Sequence, residues 1–548
     1  MRSWVDARWF QRFLEVIPGL SVWIVIIFPF AFAYSFPLMV AYFILIFNLY
    51  WFLKAFNIAR HLINGLYHMK YSMRTNWYKR AQIASRDTNK LLKELKSEYK
   101  KKTKNIFLGT RCRDLKKDIE ELDNLAGRQS LVKNIDDIIH LVIIPFWDES
   151  FRILDETFGY LKMANYPSDK LIVVLTGEGR AEENYKMIAG KIEKKYGNDF
   201  LKLLCYVHQD KVGEVRGKGA NLVSAGKKVV KYIEEEGIDP ENVLVTTLDA
   251  DHIPHREYFS KLTYKYIIDP DRDRKTYQPV ALLFNNIWDA PAPNRVAAIA
   301  SSFWIIVESM RPYRLRTFAA HTQSLKTLLV TDFWSTQTIV EDGHQYFRTY
   351  FAFNGNIEMV PLLLPVYQDC VLDENIYKTF KSQYLQRRRW AWGASDFPFV
   401  VKNFLKHPEI PLREKFIQTF RQYISHLSWA SSSLLLATAW LPLLFNQQFM
   451  DSVIAHNVTT YSSKLAITAW IGVFFSVWTY MALLPKKPLK YSHFRYIGML
   501  TQWIFTPLVA ILLSSIPSLD AQTRLMFGKY LEWFITPKVR KSKVIIDK

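Results

Sequence analysis

Residues 16–53 contain no Asp, Glu, Lys or Arg. A helix needs about 20 apolar residues to cross a bilayer, so this run has length for two crossings. Ser35-Phe36-Pro37 reads as the turn between them. Arg2, Arg8 and Arg12 lie before the run, and Lys54, Arg60, Lys70 and Arg74 lie after it. The positive-inside rule then places both ends in the cytosol and the turn outside. The run is too long for a removable signal peptide and has no cleavage-type end. Charge-free stretches return at 422–450, 465–485 and 496–519. Loop 451–463 has one acid and no base and reads as external; 486–495 carries Lys486, Lys487, Lys490 and Arg495 and reads as internal. A full crossing by 496–519 would put the basic tail 538–548 outside. Pro507 and Pro517 therefore read as breaks in a re-entrant segment, with the tail cytosolic. Residues 401–425 and 521–535 read as amphipathic and suited to the inner membrane surface.

The chain has 548 residues, enough for two or three domains. A net charge of +21 alongside 17 Trp and 37 Phe fits a membrane protein with a basic cytosolic face. No compact finger or Lys/Arg-rich arm points to nucleic acid. Cys112, Cys205 and Cys370 are widely spaced, which argues against a disulfide framework or a zinc site and fits a reducing compartment. Residues 70–135 are charged, with apolar positions at helical spacing (Leu91, Leu92, Leu95; Leu115, Ile119, Leu122). They read as solvated amphipathic helices, and a partner-binding role stays open. From Ile138 the pattern changes to short apolar strands at 138–145, 171–176, 201–207 and 244–248, separated by helical stretches. Such alternation predicts a mostly parallel sheet with ligands at the carboxyl ends of its strands.

Five stretches carry candidate chemistry. The strand before Asp249-Ala250-Asp251 ends in two carboxylates spaced i, i+2. Both can reach one loop mouth and hold a hard cation with a nucleotide diphosphate; the pair also fits an ordinary turn before Pro254. His140–Glu149 runs from a strand into Pro145-Phe146-Trp147-Asp148-Glu149, a loop able to hold a base against a ring and accept its hydrogen bonds. In Arg216-Gly217-Lys218-Gly219-Ala220-Asn221 the glycines allow close backbone approach and Lys218 can meet a phosphate, although a plain surface turn fits too. Glu341-Asp342 offers a carboxylate able to deprotonate an acceptor hydroxyl, or simply the acidic start of a helix. Gln386-Arg387-Arg388-Arg389-Trp390 combines guanidinium groups suited to diphosphate with an indole face suited to a pyranose. A basic helix on the membrane surface is the alternative there.

In this order the stretches resemble the membrane-integrated family 2 glycosyltransferases, which include the cellulose, chitin and hyaluronan synthases. The resemblance covers about residues 138–400, with the membrane regions matching in layout. It implies an α/β domain of GT-A type, a mostly parallel sheet flanked by helices, inserted between transmembrane helices. It further implies that Asp249 and Asp251 hold Mg²⁺ or Mn²⁺, with Asp249 also on the nucleotide-diphosphate side. Asp342 becomes the general base, with Glu341 shaping the acceptor pocket beside it. Pro145, Phe146, Asp148, Glu149, Glu178, Lys218, Gln386 and Arg389 would bind the nucleotide sugar, and Trp390, His321 and Thr322 the acceptor. The first loop departs from the family's Pro-x-Tyr-Asn-Glu, Glu178 stands where relatives carry an aspartate pair, and Phe318-Ala319-Ala320-His321-Thr322 replaces a Gly-Ser/Thr-Asn loop. Trp533-Phe534-Ile535-Thr536-Pro537-Lys538 resembles a cellulose-synthase gating loop.

The implied division is a transmembrane hairpin (1–56), a charged cytosolic helical region (57–137), a catalytic domain (138–400), an interfacial region (401–426), a second transmembrane region (427–519) and a basic tail (520–548). The implied activity is inverting, metal-dependent transfer from a UDP-linked sugar to a growing polysaccharide at the cytosolic face of the plasma membrane. Transfer of a single sugar to a lipid, and a catalytically inert membrane scaffold, are the alternatives.

Overall fold

The computed structural model describes residues 3–103, 112–125 and 127–541. Arg2, residues 104–111 of the charged stretch and residues 542–548 of the basic tail lie outside the described residues. The chain divides into two units. One comprises Met1–Ile63, Asn286–Phe303 and Cys370–Asp547; the other comprises Asn64–Asn285 and Trp304–Asp369.

Among the described residues, three helical runs are long and apolar enough to cross a membrane: α1 (Arg8–Phe32), α2 (Pro37–Arg74) and the run Arg495–Met526. Of the charge-poor stretches between them, 422–450 lies mostly in helix Leu412–Thr438 and continues through short helices at Leu441–Phe445 and Gln447–Met450, and 465–485 lies mostly in helix Val453–Leu483. In the first unit α1 packs closely on helix Ile516–Met526. Gly19 makes this approach possible, because a Cβ there would lie 2.5 Å from the carbonyl oxygen of Gln522. Arg12 donates to the carbonyls of Leu525 (3.2 Å) and Met526 (3.0 Å), and Trp23 Nε1 donates to Thr523 Oγ1 at 2.9 Å. The two arginine bonds reach carbonyls in the last turn of that helix, which lack intrahelical donors. The run Arg495–Met526 stays helical past both prolines. Pro507 and Pro517 each sit in the first turn of a new helical segment, where a missing N–H costs little, and a π-helical turn at Ile511–Ser515 separates the two.

The second unit is built on a sheet. Its first strands fall within two residues of those drawn from the sequence: β1 (Ile139–Phe146), β2 (Leu171–Glu178), β3 (Lys202–His208) and β4 (Val243–Thr247). The order is β3-β2-β1-β4-β7-β6-β8-β5, with β5 (Ile253–Pro254), β6 (Lys275–Leu282), β7 (Thr322–Ser324) and β8 (Glu358–Tyr367). β1 to β4 are parallel where they pair, and β6 is parallel to β8. β7 runs against β4 and β6, and β5 against β8, so the sheet is mixed, with two short antiparallel strands among six that share one direction. The strands that run against their neighbours have two and three residues, too short to carry an apolar pattern.

Alternation along β1 divides the core. Leu141 and Ile143 pack with Leu222, Val229 and Ile233 of helix Lys218–Glu235. Val142 and Ile144 face the other side, where the charged stretch supplies the cover. There α3 (Trp77–Arg86), α4 (Thr88–Thr103) and α5 (Arg113–Asp123) bury Leu91, Leu92, Leu95, Leu115, Ile119 and Leu122 in the same core as Val142 and Ile144. Their outer faces carry exposed pairs such as Lys96–Asp123 at 2.8 Å. Leu122→Ala should therefore cost about 2–5 kcal/mol, the range for a buried Leu→Ala. It should lower the melting temperature of the detergent-solubilised protein, whereas Lys96→Ala should change it little. Equal melting temperatures for the wild type and Leu122→Ala would detach these helices from the core.

Candidate functional site

The site of the second unit lies where β4 ends. Leu248 donates its N–H to Ile143 O at 3.0 Å, and the chain then turns through Asp249-Ala250-Asp251-His252 into β5. β5 pairs with β8 (Ile253 with Tyr367), which draws the residues after β8 onto the turn. The backbone N–H of Asp369 donates to Asp251 Oδ2 at 2.8 Å. Asn285 Nδ2 donates to both the Asp251 carbonyl and Asp369 Oδ1, each at 2.9 Å. The Asp251 carboxylate is thereby set by main chain just past the end of β8, more than a hundred residues away. His252 accepts the Asp249 N–H at Nδ1 (3.0 Å). One ligand atom from each of Asp249, Asp251 and His252 lies within 4.8 Å of the other two. Two hard carboxylate oxygens, from Asp249 and Asp251, suit Mg²⁺ or Mn²⁺, so these residues fit the implied cation.

A second wall comes from the glycine stretch. Gly217 has φ +147°, a conformation that side chains disfavour. A Cβ on Gly219 would lie 2.4 Å from Ser335 O, so only glycine lets the start of helix Lys218–Glu235 come this close to the segment before Glu341. Two bonds hold the contact: Val215 N–H to Thr336 O (2.8 Å) and Gln337 Nε2 to Gly213 O (2.7 Å). Lys218 is consequently buried with its ammonium among three carboxylates. Nζ lies 2.9 Å from Asp249 Oδ1, 3.1 Å from Asp342 Oδ2 and 3.7 Å from Glu341 Oε1. Burial alone would lower the lysine's pKa, but Asp249, Asp342 and Glu341 outweigh it and hold the group charged, above its ordinary range. Glu341 and Asp342 open helix Glu341–Ala352; Glu341 is buried, whereas the Asp342 side chain keeps 23 % exposure toward solvent.

His321 lies beside this cluster, its Nδ1 3.9 Å from Asp342 Oδ1. Trp334 Nε1–H reaches His321 Nε2 at 3.1 Å, and an indole nitrogen can only donate. Because Nε2 accepts, the ring is neutral with its hydrogen on Nδ1, directed at Phe318 O (2.9 Å); burial also lowers the ring's pKa. Ala320, just before it, holds φ +70°, a strained conformation for a residue with a Cβ.

The other residues singled out from the sequence are distributed as follows. Phe146 packs in the core against Tyr185, with ring centroids 5.9 Å apart, so the loop's outward ring is Trp147, over which Arg180 stacks at 4.6 Å. Pro145 lies within β1. Asp148 accepts from Asn184 (2.6 Å) and Glu149 from the Trp147 N–H (2.9 Å). Glu178 ends β2 paired with Arg180, and burial raises its pKa. Thr322 lies inside the sheet, its hydroxyl on Thr246 Oγ1 (2.7 Å) and Tyr258 OH (2.9 Å). Gln386, Arg389 and Trp390 belong to the first unit. There Gln386 Oε1 accepts from Gln383 (3.2 Å), the Arg389 guanidinium lies over Trp533 (4.3 Å), and that of Arg387 over Trp390 (5.1 Å). His252, Asn285 and Asp369 were not anticipated. His252 stands next to the acidic pair, but the other two carry no local signal.

No protein-family model and no curated protein sequence matches the chain. Solved structures give distant similarities. A mannosyltransferase from Pyrobaculum calidifontis, in complex with GDP-Man and Mn²⁺, is 16 % identical over 67 % of this chain and 87 % of its own, with a TM-score of 0.37. Residues 1–349 of S. aureus TarS are 12 % identical over 75 % of this chain and 99 % of theirs (TM-score 0.33). GalNAc-T7 with UDP, GalNAc and Mn²⁺ is 11 % identical over 59 % and 57 % (TM-score 0.30). Similarity at such TM-scores does not establish a shared fold.

The cluster makes a prediction about charge. Lys218→Met leaves three carboxylates without their ammonium. Removing one partner of a buried pair costs about 3–5 kcal/mol, and the partial exposure of Asp249 and Asp342 puts this loss at the lower end. Added Mn²⁺ should recover more melting temperature in the variant than in the wild type. An equal Mn²⁺ effect in both would separate the lysine from the cation site.

Proposed function

We propose that the chain is an inverting, metal-dependent glycosyltransferase that uses a nucleotide-diphosphate sugar at the cytosolic face of the plasma membrane, with polysaccharide as its product. The observation that supports this best is the single ammonium of Lys218 shared by Asp249 of the candidate cation site and Asp342 of the second acidic pair. In this reading that ammonium is the phosphate-binding cation, shared between the residues suited to the leaving group and the residue suited to the proton.

In the proposed reaction the acceptor hydroxyl attacks the anomeric carbon from the face opposite the diphosphate. Asp342 accepts the hydroxyl's proton as the new bond forms, and the bond to the diphosphate oxygen breaks in the same displacement. Lys218 meets the negative charge that gathers on the departing diphosphate. Asp249 and Asp251 would hold Mg²⁺ or Mn²⁺, which would supply further neutralisation of that diphosphate. His321, neutral and with its hydrogen on Nδ1, does not compete with Asp342 for the proton. Glu341 supports Lys218 from within the protein. Gln386, Arg389 and Trp390 keep the diphosphate and acceptor roles that the sequence resemblance implies.

Transfer of a single sugar to a lipid is the second reading. It is favoured by the count of about five apolar stretches in the sequence, few for a polymer channel. Product size divides the two, because polymer stays at high mass whereas a glycolipid extracts into organic solvent. For either product, Asp342→Asn should lower transfer by about 10²–10⁴-fold, the usual contribution of a general base. Mn²⁺-dependent nucleotide binding, measured by calorimetry, should survive the change. Loss of both together would remove Asp342 from the base role.

A further inference from the structure

Helix Tyr258–Ile267 follows β5 by a short turn and carries Tyr258, whose hydroxyl donates to the carbonyl of the strained Ala320 at 3.1 Å. The same helix receives the last residues of α2 and the first of α3. Trp77 N–H donates to Glu257 Oε2 at 3.0 Å, Trp77 Nε1 to Ser72 O at 2.8 Å, and Lys261 Nζ to Ser72 Oγ at 2.7 Å. Lys261 keeps only 5 % exposure in this joint. We propose that Lys261 makes the joint proton-sensitive: as a neutral amine it seats the end of α2 on the helix, and as an ammonium it releases it. Through Tyr258 and Ala320 the state of the joint reaches the rim of the candidate site. None of the joint's residues is assigned to sugar transfer, so its proton response is independent of that reading.

Lysine is rarely buried without a partner carboxylate. Here the acids that face the joint are engaged elsewhere. On α5, Asp118 accepts from Tyr71 OH and Arg80 Nη1, each at 2.8 Å, and lies 3.5 Å from Lys265 Nζ. Asp114 meets His68 Nδ1, and Glu121 meets Lys265. Glu98 on α4 lies 3.7 Å from Arg80 Nη2. Glu257 accepts from Trp77 and, at 2.8 Å, from Asn165, with Arg256 Nε 3.7 Å away. Among the described residues Lys261 forms no ion pair, and its hydrogen-bond partner is the Ser72 hydroxyl. Its Nζ also lies over the Trp77 ring at 4.5 Å. An indole face attracts an ammonium, but Arg80 already lies over the same ring at 5.1 Å, and its charge repels a second one. Lys265, one turn along the helix, gives the contrast. Burial would lower its pKa, but Glu121 and Asp118 outweigh burial and keep it charged, above its ordinary range. For Lys261 burial prevails, with the Lys265 charge acting in the same direction, over the attraction of Asp118, Asp114 and Glu121, and its pKa falls to about 7. An ammonium has three N–H donors to place, and this pocket offers it a hydroxyl and a shared ring.

A lysine exposed by opening of the joint has a pKa of about 10.4. Above about pH 7 the opened joint therefore binds a proton that the closed one does not, and closure weakens as pH falls through this window. Below pH 7 both states are charged and the loss is complete. The test is hydrogen–deuterium exchange of the full-length, detergent-solubilised protein over a pH series, with rates corrected for intrinsic exchange. In the wild type, protection across 64–80 and 258–267 should fall about tenfold per unit as pH is lowered from about 9 to about 7, then level off. Lys261→Met removes the titrating group, and its protection should stay high and within about twofold across the series. Lys261→Arg stays charged throughout, and its protection should be low at every pH. A flat wild-type profile, or the wild-type slope persisting in whichever variant folds, would overturn the proton-sensing role.

Discussion

The arrangement of the second unit's site depends on one buried ammonium. Lys218 sits where Asp249, Glu341 and Asp342 converge, and each of these carboxylates would repel the others without it. An isolated lysine in this position would lose its proton to avoid the cost of burial, whereas three acids keep it charged. The charge balance also sets a chemical condition. With one ammonium for three carboxylates the cluster stays net negative, so it suits a further cation and the anionic diphosphate that such a cation would bring.

Backbone, more than side chain, creates that convergence. Gly217 takes a left-handed conformation and Gly219 removes a Cβ that would collide with Ser335 O, and together they let one helix start against the segment that leads into another. On the opposite side, the two residues of β5 pair with β8, and this short pairing brings the Asp369 N–H to Asp251. Main-chain donors hold a carboxylate without spending side-chain entropy, which makes them economical scaffolding for a ligand site. The strain at Ala320 lies on the same rim, where strained backbone commonly accompanies function.

The charged segment before the sheet shows how composition can mislead about burial. Read by charge, residues 70–135 are solvated helices; read by spacing, they carry a leucine stripe. Both readings hold, because α4 and α5 turn that stripe onto Val142 and Ile144 and leave lysines and acids outside. The stripe thereby becomes part of the core under the site. Phe146 and Thr322 show the converse. Each stands in a stretch that resembles a ligand loop, yet a strand position turns Phe146 onto Tyr185 and Thr322 onto Thr246 and Tyr258.

The sequence by itself determined the strands β1 to β4, the membrane-length apolar runs and the residue types of the acidic pairs, since these depend on local periodicity and on chemistry within a few neighbours. It could not determine β5 and β7, whose two and three residues hold no pattern and exist only because longer strands already flank them. Nor could it show that Lys218 bridges Asp249 and Asp342, that Trp334 selects the tautomer of His321, or that Asp369 and Asn285 brace Asp251. Each of these contacts joins residues far apart along the chain. Such contacts arise when packing closes loops between elements, so their geometry belongs to the folded sheet and not to any segment of it.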